Sequence, residues 1–439
     1  MGLLNLSIEL LMTVLEHTVQ LVGLTNAVRL RLVCKTFDRE IPVAMCNTRL
    51  LESGHPRTVL FPSNSWLVQE HIFRETWGKR QRNNNLPAAL FLAAETLTPK
   101  ACKNPKSEQE QLIRKLCRAA VLNLHTLEVL SYLKPGAEQK EAKLRHHSSN
   151  NHVASAAAYL GDFNYFKDLI GQNQEIDSAE SNYFGNPLRC AILQGHFDLV
   201  KFMLDHNVDV NYPALGKGLG STALCVAAST GRQDCVELLL DPKYNCDTST
   251  LILKYAILGA ASAGHLEIVK ILLRRSDEDP KPVSLNRILW EGCRCGQENI
   301  VQFALQLGAD PNKKEEACGG LPLKAALRRN RADVTKTLLK NGAVLQDFDI
   351  LYANRPGLSD NTVRVLYEFA EPEHLIREVK YLERSAQQEV ENEEYWRRSV
   401  KLLEYHRRIV QESGGKLKWY FSFKNTNVAE IEGVTAGSV

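Results

Sequence analysis

The sequence predicts an all-α fold, a solenoid of stacked helix pairs, and three observations predict it. First, short small-residue phrases recur: Ala156-Ala157-Ala158, Cys190-Ala191, Val226-Ala227-Ala228, Gly259-Ala260-Ala261, Gly292-Cys293 and Ala325-Ala326. Each runs into an anchor, at Gly161, Gly195, Gly231, Gly264, Gly296 and Asn330, and the anchors are 34, 36, 33, 32 and 34 residues apart. A fixed period of this size marks a repeat architecture. Second, every anchor is Gly or Asn, the residues that tolerate the left-handed backbone at a helix end. Third, a carboxylate or amide follows three residues on, at Asn164, Asp198, Asp234, Glu267, Asn299 and Asp333, and apolar runs come next. Such residues suit the first turn of a new helix. Each unit therefore reads helix, turn, helix, and neither helix buries its apolar stripe unless units stack.

In chain order, residues 1–50 form a small helical piece. Leu6 to Leu15 has apolar residues at helical spacing, and Leu24 to Phe37 holds a second set, so two or three short helices are expected. A piece this small cannot bury all its apolar surface alone. It packs on the rest of the chain or on a partner. Leu6-Ser7-Ile8-Glu9-Leu10-Leu11 and Arg31-Leu32-Val33-Cys34-Lys35-Thr36-Phe37 resemble the F-box, whose phrases are L-P-x-E-L-L and R-x-V-C-K-x-F. The proline of the first phrase is missing here. F-box proteins bind a Skp-type adaptor of cullin ubiquitin ligases, and by that resemblance Leu6, Leu10, Leu11, Val33, Cys34 and Phe37 would meet it.

Residues 51–144 read as a helical connector. A helix-like stretch runs from Phe61 to Trp77, loops fall at Asn83 to Asn85 and Pro99 to Pro105, and Leu116 to Leu133 has the look of a degenerate first repeat. Between Arg74 and His146 stand 14 Lys or Arg and 7 Glu, a net charge of +7. A solvated helical surface is the favoured reading, with an acidic partner or nucleic acid as alternatives.

The array spans residues 145–345. Asn186-Pro187-Leu188, Thr222-Ala223-Leu224 and Leu321-Pro322-Leu323 open helices, and Asn186-Pro187 is also a sound physical start because Asn caps and Pro fits the first helical position. With Gly195-His196, Gly264-His265 and Gly308-Ala309-Asp310-Pro311-Asn312, these phrases resemble the ankyrin repeat, T-P-L-H-x-A-A-x-x-G-H-x-x-x-V-x-x-L-L. The resemblance implies about six repeats with degenerate caps, and structural hydrogen bonds from His196 and His265. The first repeat lacks T-P-L, and the fifth opens with Arg287-Ile288-Leu289. An F-box followed by ankyrin repeats is similar to a class of proteins abundant in filamentous fungi.

Residues 346–370 read as a degenerate C-terminal cap repeat. Leu375, Val379, Leu382, Ala386 and Val390 begin a long amphipathic helix over 371–415, which folds back on the repeats or pairs with another chain. Residues 416–439 form a tail, aromatic at first and then small or polar.

Composition excludes several classes. Of 439 residues, 44 % are hydrophobic and 24 % charged, and the net charge is +3, so neither a disordered chain nor a strongly basic nucleic-acid binder is indicated. The +3 averages the basic connector against a remainder of −4. Eleven cysteines are too dilute for a disulfide framework and odd in number. The first 24 residues lack a basic n-region, and no apolar run reaches membrane-spanning length. An intracellular protein, cytoplasmic or nuclear, is expected.

Catalytic signals are faint. Gly216 to Thr222 resembles a phosphate loop only loosely, since Lys217 precedes Gly218 and no βαβ unit surrounds it. Cys293 and Cys295 diverge on a helix, and no partner pair has zinc spacing. No metal, cofactor or catalytic residue is expected, and the chain reads as a non-enzyme. The expected function is protein–protein interaction: a substrate receptor that links a protein target, on the concave repeat surface, to a Skp-cullin ubiquitin ligase. The alternative is an ankyrin scaffold without a ligase link, and a nucleic-acid regulator is the weakest reading. Aromatics favour interfaces, so the finger residues Tyr183, Phe184, Tyr212, Lys217 and Tyr244 are the candidate target contacts, with packing between neighbouring fingers as the alternative.

Overall fold

Gly23 shapes the first helical piece. Its backbone takes φ 74°, ψ 168°, which an L side chain rarely adopts, so α1 (Ile8–Leu30) is two helical stretches joined at a kink. Ser7 caps the start, its Oγ accepting from the Leu10 N–H at 3.5 Å. The computed structural model describes residues 6–48, 65–78, 86–99, 102–123, 149–172, 181, 183–212, 222–275, 283–315, 320–345 and 359–369. Arg31 to Cys34 leave the helix, and α2 (Lys35–Asn47) starts afresh, which divides the second apolar set, Leu24 to Phe37. The reason is a second cap, because Cys34 is extended and its sulfur accepts from the Phe37 N–H at 3.5 Å. Leu11, Leu15 and Val19, one turn apart, are buried on α1, which packs on α2, where Ile41, Ala44 and Met45 are buried. Full burial stabilises by about 1.5–3 kcal/mol per large aliphatic side chain.

The connector supplies α3 (Ser65–Gly78), α4 (Leu86–Leu97) and α5 (Pro105–Asn123). Helix α3 packs on α2, α4 and α5. Part of the basic excess is engaged internally: Glu70 pairs with Arg74 at 2.9 Å and Arg114 at 3.0 Å, and the Arg114 guanidinium lies 3.6 Å from the Phe73 ring centroid. Helices α4 and α5 both pack on α6 (Ser149–Leu160), the first array helix. Leu116, Ala119 and Ala120 are buried. The rest of that phrase, 124–133, lies outside the described residues.

The repeats follow. The pairs are α6 with α7 (Phe163–Gly171), α8 (Pro187–Gln194) with α9 (Phe197–Asp205), and α10 (Ala223–Ser229) with α11 (Gln233–Leu239). Next come α12 (Thr250–Ala263) with α13 (Leu266–Arg275), α14 (Leu285–Cys295) with α15 (Glu298–Gln306), and α16 (Pro322–Arg328) with α17 (Ala332–Lys340). A further helix, α18 (Asp360–Phe369), packs on α17. All six anchors have positive φ, from 57° at Asn330 to 84° at Gly264 and Gly296. The six carboxylates or amides three residues on each occupy the second position of the following helix.

Two compact units are present, Met1–Ala256 and Ile257–Val439. In the first, the repeat helices α6, α8 and α10 stack in order, and α9 packs on α11. In the second, α14 packs on α16, and α15 on α17. The described residues hold no strand beyond two isolated antiparallel bridges, Ser181 with Gly185 and Glu315 with Gly320. The amphipathic helix and tail expected over 371–439 lie outside the described residues.

Candidate functional site

A polar latch recurs at three of the anchors, Gly195, Gly231 and Gly296. There the residue after the anchor reaches the preceding repeat and donates to the carbonyl two residues before that repeat's anchor. In the first unit, His196 Nε2 donates to the Tyr159 carbonyl at 3.1 Å, and the Arg232 guanidinium to that of Leu193 at 3.1 Å. In the second, Gln297 Nε2 donates to the Ser262 carbonyl at 3.1 Å. A carbonyl can only accept, so the His196 nitrogen carries the proton. These groups satisfy helix C-terminal carbonyls that would otherwise lack partners. At Gly161 and Gly264 the latch residue itself leaves no room for a side chain on the anchor. A Cβ on Gly161 would lie 2.6 Å from the His196 ring, and one on Gly264 would lie 2.4 Å from Gln297 Oε1.

The finger bases are tied by Asn. Asn211 donates to the Asn245 carbonyl at 2.9 Å and accepts from the Asp247 N–H at 2.6 Å. Asn312 does the same with Gly342 and Val344, at 2.8 and 2.7 Å. Each Asn also bonds the Asp two residues before it, through Asp209 and Asp310.

The finger aromatics divide. Tyr183 and Phe184 are only 3 % and 2 % exposed, which corrects the expectation of exposed contacts at these two positions. Ser181 Oγ accepts from both of their N–H groups, and the Tyr183 ring packs 5.0 Å from His152, so this turn folds inward. Tyr212 is half-buried beside a cavity of about 10 Å³ that Asn186 and Asp209 also line, room for one water at most. Tyr244 is half-buried, with its hydroxyl donating to Asp205 at 2.9 Å while Lys243 donates at 2.6 Å. Those two hydrogen bonds hold the Asp205 carboxyl below its ordinary range. Lys217 lies outside the described residues, and Thr222 caps α10, accepting from the Cys225 N–H at 3.5 Å.

The N-terminal candidates also divide. Leu10 and Val33 are 58 % and 64 % exposed, and Leu6, Cys34 and Phe37 are half-buried. Leu11 is 3 % exposed, so its side chain serves the internal face rather than a free one. Sequence reasoning missed Ile8, Val14 and Leu32, which are exposed large aliphatics on α1 and the following turn. Alternation of buried Leu11 and Leu15 with exposed Leu10 and Val14 was the available signal. The turn is held by Arg31, which bonds Asp38 at 2.8 Å and lies 4.2 Å from the Trp66 ring centroid.

Cys293 is buried and Cys295 half-buried, and burial pushes both thiols above their ordinary range. No group of three or more metal-ligating side chains occurs among the described residues. No described helix is long and apolar enough to cross a membrane.

Comparison with known proteins fits this geometry. The family model of ankyrin repeats matches residues 152–251 and 257–349, the stretch that holds the stacked helix pairs. It is 23 % identical over 207 residues to the ankyrin repeat and KH domain-containing protein mask-1 of Caenorhabditis elegans, covering 46 % of this chain and 8 % of the relative. It is 28 % identical over 139 residues to the ankyrin repeat, SAM and basic leucine zipper domain-containing protein 1 of Dasypus novemcinctus, covering 31 % of this chain and 29 % of the relative. The chain thus spans less than a third of the length of these relatives. Among solved structures it is similar to the human ASB11 ankyrin repeat domain, at 23 % identity and a TM-score of 0.39, covering 50 % of this chain and 98 % of that one.

Proposed function

We propose that this chain is a protein-binding receptor: its repeats hold a protein target, and its N-terminal helices dock a Skp-type adaptor of a cullin ubiquitin ligase. The carrying observation is the apolar face of the N-terminal piece. Leu10 and Val14 are exposed on α1, turned away from Leu11, Leu15 and Val19, which are buried, and Ile8, Leu32 and Val33 are exposed as well. A concentration of exposed aliphatic side chains on one small element marks an interface. The F-box resemblance shares Leu10 and Val33 with this exposed set. A target would meet the first-helix faces and the half-buried finger residues Tyr212 and Tyr244, with Lys217 as a further candidate.

One observation favours the second reading, a scaffold without a ligase link: Leu11 is consumed inside the chain. The basic connector gives nucleic acid less support, because Arg74 and Arg114 are engaged by Glu70.

The test is a pull-down of the purified full chain with a Skp-type adaptor. Leu10→Asp with Val33→Asp places charge on two exposed positions, so the fold should hold. Loss of capture with an unchanged circular dichroism melt is the expected result. A wild type that fails to bind, or a double variant that binds equally, leaves only the scaffold.

A further inference from the structure

We propose that the first-helix face of α14 and α16, in the second unit, binds an acidic peptide segment through Arg294, Arg328, Arg329 and Arg331. This deepens the receptor reading and rests on it, since it names the chemistry of the target.

The charge is concentrated by register. The two residues before each of the first four anchors are Tyr159-Leu160, Leu193-Gln194, Thr230 with Ser229, and Ala263 with Ser262, none of them charged. At the fifth and sixth anchors they are Arg294-Cys295 and Arg328-Arg329. Because α14 packs on α16, these equivalent positions come side by side. Arg328, Arg329 and Arg331 are exposed, and the Arg294 side chain is 36 % exposed.

The groups also converge. The Arg331 side chain reaches back to the end of α14, its Cδ 2.7 Å from where a Cβ on Gly296 would stand, next to Cys295, and Arg294, Arg331 and Arg329 all act on the Cys295 thiol against the rise that burial causes. Glu291 is the carboxylate among them, largely buried and bonded to Arg294. That bond, with the Trp290 ring centroid 6.0 Å from the Arg294 guanidinium, fixes one fork of the cluster in advance. Arg328, Arg329 and Arg331 add three positive charges beside the Arg294–Glu291 pair. Guanidinium forks match carboxylates two bonds at a time, so a peptide bearing closely spaced Asp and Glu fits best. The cluster crosses two stacked helices, roughly 10 Å, which is short for the phosphate stripe of a duplex.

The test uses the full chain and a fluorescein-labelled peptide of alternating Asp and Glu, read by anisotropy. Binding is expected at about 50 mM salt and should weaken steeply toward about 300 mM. Arg328→Glu with Arg329→Glu should weaken it about tenfold or more, with an unchanged melt. A matched Asn/Gln peptide should not bind. Equal affinity in the variant, or no binding of the acidic peptide, overturns the proposal. So does tighter binding of duplex DNA that the same variant abolishes. Adaptor capture involves the first unit, so it should survive this variant. A failed peptide titration with intact capture sinks the arginine site alone, and lost capture in the wild type sinks the ligase link alone.

Discussion

Replacing Gly264 by Ala tests the latch most sharply. The new Cβ meets two costs. The backbone at φ 84° disfavours an L side chain by about 1–2 kcal/mol. The Cβ also lands 2.4 Å from Gln297 Oε1, so the Gln297 side chain must swing away from the Ser262 carbonyl. Losing that hydrogen bond costs about 0.5–1.5 kcal/mol. The single variant should therefore lose about 1.5–3.5 kcal/mol in total. Gln297→Ala alone should lose only the hydrogen-bond part. In the double variant that part is lost once, so the two effects should fall short of additive by about 1 kcal/mol. Urea unfolding followed by far-ultraviolet circular dichroism gives the sums, and hydrogen exchange across α12 to α15 localises them, since repeat chains unfold by neighbouring units. Additivity within about 0.3 kcal/mol would refute the latch as drawn.

Other expectations concern burial and titration. Phe184→Ala should cost about 3–5 kcal/mol in stability because the ring is buried, whereas Tyr244→Phe should stay within about 1 kcal/mol; thermal melts distinguish them. Asn312→Ala removes two bonds to the following repeat and should speed exchange of the Val344 amide, with about 1–2 kcal/mol lost. Desolvation pushes the buried Cys46 thiol up from 9.0 to about 12. Its contribution is thus complete below pH 9 and declines as the unfolded thiol ionises, by about 1.4 kcal/mol per pH unit up to the folded value. Cys46→Ala should lose less stability than the wild type between about pH 9 and 10.5, and parallel curves would show the thiol is not desolvated.

The anchors were legible because a positive φ is a local property that Gly or Asn alone meets cheaply, and six of them kept a period. The following carboxylates and amides were legible for the same reason, through helix-end electrostatics. The latch was legible only at His196, where the ankyrin resemblance implied a structural hydrogen bond; it was not at Arg232 and Gln297, which share with it only the capacity to donate, to acceptors a full repeat away. Tyr183 and Phe184 misled because an aromatic in a turn can face either way. Here Ser181 gathers both backbone N–H groups and turns the rings inward. The break at Arg31 to Cys34 was hidden by an apolar pattern that continues across it, since a cysteine cap is not a usual stop signal. The arginine cluster needs stacking to exist: Arg294 and Arg328 are 34 residues apart in sequence.

Docking through the exposed N-terminal aliphatics is read by calorimetric titration of a purified Skp-type adaptor into the full chain. Saturable binding with a negative heat-capacity change, the mark of apolar burial, is expected. Leu10→Asp with Val33→Asp should abolish that binding while leaving the melt unchanged. No binding by the wild type, or the same isotherm in the variant, would contradict this docking.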